Sequence, residues 1–250
     1  MLAPENPPWT FVDVLIIAVV GFLTLAIFGA LALAIAHSLS RFRGVSATDL
    51  AQNAMVIVPA QTVASLLVIG FMVEILRLKR QDDFLIAISW KMPDLSGALV
   101  AVAGGVGLAF CSLAFNALLS RWMPRSLPID KLFRDANSAY LLSFYGVLVA
   151  PLVEELFFRG FLYPALARRI GMGVSVVLTA ATFAVIHQGQ LAHAWLPLTW
   201  LFIVGSVLTL VRARIKSVAT CVIIHVAYNA TIFFLVFIGT QGFRHMEHLT

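Results

Sequence analysis

The chain has 250 residues, of which 61% are hydrophobic and only 12% charged, whereas a soluble globular domain carries roughly 25% charge and 45–50% apolar residues. That excludes a soluble enzyme. The formal charge of +5 comes from basic residues clustered in short stretches between long apolar runs, which read as membrane topology signals and not as a nucleic-acid surface.

Apolar runs of spanning length recur at about 14–36, 54–73, 97–120, 139–153 continuing past two acids, 174–187, 195–211 and 217–240. At about 20 residues per span plus short loops, this length accommodates seven or eight spans. The expected fold class is therefore all-α, a polytopic transmembrane helical bundle forming one integral membrane domain. Two parts are expected within it: N-terminal helices without motifs over 1–135 and a functional helical core over 136–250. The stretch from Met1 to Asp13 contains no Lys or Arg, so it lacks the basic region of a cleavable signal peptide, and the first run is expected to stay as a span. Phe84–Trp90 is too short to cross and fits an interfacial segment. Arg121–Arg134, with its prolines and mixed charges, reads as a loop or surface helix.

Orientation follows the Lys/Arg bias of short loops. Arg168 and Arg169, and Arg212, Arg214 and Lys216, flank a hairpin whose other loop, Gln188–His193, has neither residue type; the two basic loops are expected on the cytoplasmic side. In the N-terminal half, the loop over 77–91 (Arg77, Lys79, Arg80, Lys91) and the loop over 121–134 (Arg121, Arg125, Lys131, Arg134) are both basic, although a single span separates them. Cys111 and Cys221 lie inside apolar runs and read as small buried hydrophobes.

Between Ala136 and Met246 the only acids are Glu154 and Glu155, adjacent in the apolar stretch Gly146–Leu166. Ionisable groups at membrane depth cost a few kcal/mol on insertion scales, and they mark functional sites facing the bundle interior. A carboxylate so placed can act as a general base. The plainer alternative is that they pair with Arg159, which lies four residues after Glu155 on the same helix face. His187 closes the run from Thr182, and His225 sits in the last span with Asn229 one turn later on the same face. Each is compatible with an interhelical hydrogen bond. Together, Glu154, Glu155, His187, His225 and Asn229 would form a pocket able to activate water, bind a divalent ion or relay protons. His37, His193, His245 and His248 occupy boundary, loop or tail positions, and Gln188 and Gln190 read as loop residues. No His-Glu-x-x-His helix and no Gly-x-Ser-x-Gly elbow occurs, and Ser175 and Ser206 lack an oxyanion context. Gly104-Gly105-Val106-Gly107 reads as close helix packing.

The order Glu154-Glu155-x-x-x-Arg159, Phe183-x-x-x-His187, His225-x-x-x-Asn229, each on an apolar helix, resembles the three motifs of the CPBP family. This family comprises type II CAAX prenyl endopeptidases and the bacteriocin-processing and self-immunity (Abi) proteins. The likeness covers about residues 140–240 and says little about the first three spans. It implies an intramembrane endopeptidase in a bacterial or archaeal cell membrane, acting on a peptide or protein with a membrane-associated segment. By that resemblance Glu154 would activate the attacking water beside His187, His225 and Asn229 would stabilise the oxyanion, Glu155 would tune its neighbour and Arg159 would hold the helix. A divalent ion such as zinc, held by Glu154, His187 and His225, is the alternative route to an activated water. A proton-coupled transporter, against which the lack of an internal repeat counts, and a non-catalytic immunity protein are the competing functions.

Overall fold

The computed structural model describes residues 5–80, 83–124 and 127–245, and among these the chain is helix and connection without strand. Arg125 and His248, singled out above, lie outside the described residues. The seven apolar runs each become one helical segment: α1 (Phe11–Ser38), α2 (Ala54–Leu78), α3 (Leu95–Leu118), α4 (Ala136–Ile170), α5 (Met172–Ile186), α6 (Trp195–Ile215) and α7 (Val218–Gly239). Six of these are long and apolar enough to cross a bilayer. The exception is α5, whose 15 residues extend about 22 Å at 1.5 Å per residue, against a hydrocarbon core of about 30 Å. The expected seven or eight spans thus resolve into six helices of spanning length and one short helix that ends at His187.

Short polar side chains start most of these helices by accepting a first-turn N–H that has no partner within the helix. Thr10 and Asp13 form a reciprocal capping box on α1. Asn53, Asp94, Asp135 and Ser217 cap α2, α3, α4 and α7. Gly171, at φ +78°, makes the break between α4 and α5, a left-handed backbone that costs glycine little.

Neighbouring helices pack α1 on α2, α5 on α6, α6 on α7, and α3 on α7. The α3–α7 contact is close because a Cβ on Gly105 would overlap the Ile224 carbonyl and Ala227, whereas Gly104 and Gly107 face nothing within 4 Å. Of the three glycines read as packing residues, Gly105 fills that role. Gly205 does the same for α5 and α6, where an added Cβ would stand 3.2 Å from the Ala180 Cα. Cys221 is buried, but Cys111 is exposed. The apolar run around Cys111 is an outward face of α3, where hydrophobicity signals lipid contact and not burial.

The two basic loops of the N-terminal half lie at opposite ends of the bundle, as a single intervening span requires. The 77–91 connection docks on the start of α7, where Ser217 Oγ donates to the Lys91 carbonyl at 2.5 Å and Val218 N–H to the Ser89 carbonyl at 3.1 Å. Within it Phe84–Ala87 is one helical turn, with Ile86 exposed and Ile88 fully buried. At the other end Ile129 N–H donates to the Gln190 carbonyl. The main apolar core gathers around the second half of α4, with Leu156, Phe158, Phe161 and Leu162 packed among Trp9, Ile17, Met72, Ile88 and Phe183. The helix that carries the acid pair is therefore the one the rest of the bundle encloses.

Candidate active site

Helix α4 is not a regular α-helix. Two wide π turns, Tyr145–Val149 and Leu156–Leu162, bracket the short α segment Ala150–Glu155 that bears the acids. Prolines explain where the backbone pairing fails. Ala150 N–H reaches back five residues to the Tyr145 carbonyl, and Tyr163 N–H does the same to Phe158. In that register the next carbonyls, Gly146 and Arg159, face Pro151 and Pro164, which have no N–H to give. Side chains from other helices supply the missing donors: Asn229 Nδ2 to the Gly146 carbonyl at 2.6 Å and Arg212 Nε to the Arg159 carbonyl at 3.1 Å. Single π turns of this kind occur frequently at functional sites.

Glu154 lies between two imidazoles delivered by different helices. His187 Nε2 is 3.7 Å from Glu154 Oε1 and His225 Nε2 is 3.9 Å from Glu154 Oε2. The other ring nitrogens fix both orientations. His187 Nδ1 lies 2.8 Å from the Phe183 carbonyl, which can only accept, so Nδ1 carries the proton. His225 Nδ1 lies 2.8 Å from Glu155 Oε1 and donates to it. In each neutral ring the Nε2 lone pair is left facing Glu154. The carboxylate keeps 20% side-chain exposure and His187 keeps 16%, so the group is open on one side.

Behind them is a sealed ionic layer. Glu155 Oε1 accepts from both Arg159 Nη1 and His225 Nδ1, each at 2.8 Å, and the Glu155 and Arg159 side chains are fully buried. Arg159 Nη2 donates to the Gly205 carbonyl at 2.9 Å, and its guanidinium carbon stands 4.9 Å from the centre of the Phe183 ring. Glu155 Oε2 and Arg159 Nε are buried without a hydrogen-bond partner. The plain i,i+4 pairing of Glu155 with Arg159 is thus present, and the same carboxylate oxygen also orients His225. Phe183 wedges between the parts, 5.0 Å from the His187 ring and 6.0 Å from the His225 ring.

Of the sequence candidates, Glu154, Glu155, Arg159, His187 and His225 form one connected cluster. Asn229 is on the same helix face as His225, with one amide proton committed to the Gly146 carbonyl. Ser175 and Ser206 bond to carbonyls of their own helices, at Gly171 and Phe202. Among the described residues no group of three or more His, Cys, Asp or Glu is arranged to hold a metal ion. The donor chemistry of Glu154, His187 and His225 suits zinc, but their arrangement does not match a metal site.

Arg212, Glu5 and Trp9, which the sequence does not place near the site, stand behind it: Arg212 Nε donates to the Arg159 carbonyl, Glu5 pairs with Arg212, and Trp9 Nε1 donates to the Phe161 carbonyl. Arg212 is 1% exposed and pairs with Glu5 Oε1 at 3.1 Å; in the sequence it stands in a basic cluster that reads as a topology signal. Its only separate mark is a position at the very end of an apolar run.

Residues 136–231 match the model of the Rce1-like family, described as type II CAAX prenyl endopeptidase Rce1-like. The match covers the segment that carries all three motifs, in agreement with the family likeness read from them, and it indicates a membrane peptidase of the CAAX type II kind. No curated protein matches the chain, and no solved structure matches it.

Proposed function

With residues 136–231 belonging to the Rce1-like family of type II CAAX prenyl endopeptidases, we propose that this multi-pass membrane protein hydrolyses a peptide bond in a membrane-associated protein or peptide, using a water activated by Glu154. The observation that carries the reading is the convergence of Glu154, His187 and His225 from three helices at 3.7 and 3.9 Å. Those separations are too long for a direct hydrogen bond and suit a single bridging water. Glu154 as carboxylate and His187 as neutral imidazole both present lone pairs to the space between them. A water there gives one proton to each and points its own lone pair outward, towards a substrate carbonyl carbon.

On attack the water oxygen bonds to that carbon and its proton passes to Glu154. The carbonyl oxygen becomes an oxyanion, which accepts from the second amide proton of Asn229 and from His225, whose Nε2 takes up a proton from solvent before the attack while Nδ1–H stays on Glu155. Collapse breaks the C–N bond as Glu154 returns the proton to the leaving amine. Glu155 holds the His225 ring, and Arg159 holds Glu155. General-base catalysis contributes about 10²–10⁴-fold, and one oxyanion donor roughly 10²–10³-fold.

The test is cleavage of bilayer-tethered peptides, prenylated and unprenylated, by the protein in proteoliposomes. Glu154→Gln keeps size and hydrogen bonding but removes the base, and it should lower the rate by roughly 10² or more. Full activity in that variant would sink the proposal. Chelator treatment belongs in the same assay, and loss of activity restored by zinc would replace the metal-free mechanism.

A further inference from the structure

The second π turn, Leu156–Leu162, immediately follows the acid pair, and its register is contested. Tyr163 N–H donates to the Phe158 carbonyl, five residues back, yet an ordinary α turn would have it donate to Arg159, four residues back. The two registers differ by one residue, about 100° of helix rotation. Such a rotation would carry Glu154 and Glu155 away from the two histidines relative to the rest of α4. Whichever group occupies the Arg159 carbonyl therefore biases the choice.

Arg212 occupies it. Its Nε donates to the Arg159 carbonyl at 3.1 Å, and its guanidinium is buried over the Tyr163 ring at 5.8 Å. Glu5 holds the same guanidinium from the far side, at 3.1 and 3.5 Å. The N-terminal strap that delivers Glu5 is tied down twice more, by Arg168 Nη1 to the Pro7 carbonyl at 2.9 Å and by Trp9 Nε1 to the Phe161 carbonyl at 3.0 Å. Trp9 is 1% exposed and stacks on Phe161 at 4.6 Å. Two carbonyls of one π turn, Arg159 and Phe161, are thus each capped by a side chain remote in sequence.

We propose that Arg212, seated by Glu5, and Trp9 are positioning residues that lock the glutamate helix in the π register and so set the rotation of Glu154 and Glu155. The inference rests on the peptidase reading for its catalytic consequence, but its structural core does not need it. It also makes the N-terminal strap, outside the matched family segment, part of the support of the site.

The decisive contrast is Arg212→Met against Arg212→Gln. The Gln amide nitrogen falls where Arg Nε lies, so Gln can restore the donor to Arg159 without the charge; Met has the length and no donor. Methionine should lower kcat by roughly 10- to 100-fold with KM nearly unchanged, the scale of a site misplaced by about an ångström, and Gln should recover most of that loss. Hydrogen exchange of the peptide spanning 156–166, measured without substrate, should accelerate in Arg212→Met and stay near the parent in Arg212→Gln. Equal impairment of the two, or normal exchange and kcat in Arg212→Met, overturns the proposal. Should Arg212→Met fail to fold, Trp9→Phe, which keeps an aromatic ring over Phe161 and deletes the donor, carries the test through faster exchange at 161–166; unchanged exchange there refutes it. A parent that cleaves no better than Glu154→Gln defeats the peptidase reading alone, and the exchange contrast still decides the register.

Discussion

Replacing Arg159 by Leu removes the guanidinium that meets Glu155 at 2.8 Å where both side chains are fully buried. Breaking a buried pair from one side costs about 3–5 kcal/mol, because the surviving charge is left without compensation. The Gly205 carbonyl also loses its 2.9 Å donor, an unsatisfied acceptor worth about 1–3 kcal/mol. These terms overlap, so the expected loss is about 4 kcal/mol, roughly a thousandfold in the folded-to-unfolded ratio. Adding Glu155→Gln should return about 2 kcal/mol of this, since a neutral amide oxygen still accepts from His225 Nδ1 and no charge is stranded. Graded SDS unfolding in mixed micelles, followed by fluorescence of the five tryptophans, measures all three variants. A cost for Arg159→Leu below about 1 kcal/mol, or single costs that add to the double within about 0.5 kcal/mol, would refute the reasoning.

Gly105→Val should cost about 1–3 kcal/mol or more through overlap with the α7 backbone. The same change at Gly107, which has open space around it, should cost only a small fraction of that in the same unfolding assay. Asn229→Leu strips the donor from the Gly146 carbonyl and should cost about 1–3 kcal/mol while also slowing cleavage; Asn229→Asp, which offers no proton when ionised, should not rescue either. At the start of α4, outside the span, the Ser138 backbone N–H holds the Asp135 carboxyl below its ordinary range, against a smaller opposing effect of burial. A depressed carboxyl stabilises the fold above its unfolded value and loses that contribution as pH falls through the folded one. Asp135→Ala should therefore cost about 1 kcal/mol near neutrality and progressively less below about pH 4. A pH-independent difference between parent and variant would contradict this.

Much of the cluster was legible in the sequence because charge is so rare in it. An acid pair inside an apolar run, and a His with Asn one turn later on another, have few structural uses in lipid, so their rarity points to a shared interior site. The partners of each were not legible. Glu154 and Glu155 are neighbours with the same chemistry, yet one faces the two Nε2 atoms and the other is sealed against Arg159. An ideal helix places them about 100° apart and cannot say which faces inward. Asn229 reads as an oxyanion donor, while its amide also has a backbone duty created by Pro151, a residue whose effect depends on how α4 is wound. Arg212 and Trp9 were hidden for another reason. A basic residue at a helix end and a Trp near the first span both have ordinary membrane-boundary explanations, and only burial distinguishes them.

The amino-acid order by itself determined the membrane setting, the seven helical segments, the candidate members of the interior cluster and the family likeness. These rest on hydropathy, capping residues and the desolvation cost of charge, all local in sequence. Tertiary structure alone decided which distant side chains cap the two π turns, how the imidazoles are set around Glu154, the burial of the Glu155–Arg159 pair, and the link from the N-terminal strap through Arg212. Each of these is settled by which carbonyl or carboxylate a distant donor reaches, at separations such as the 53 residues between Arg159 and Arg212. No pattern along the chain encodes that distance.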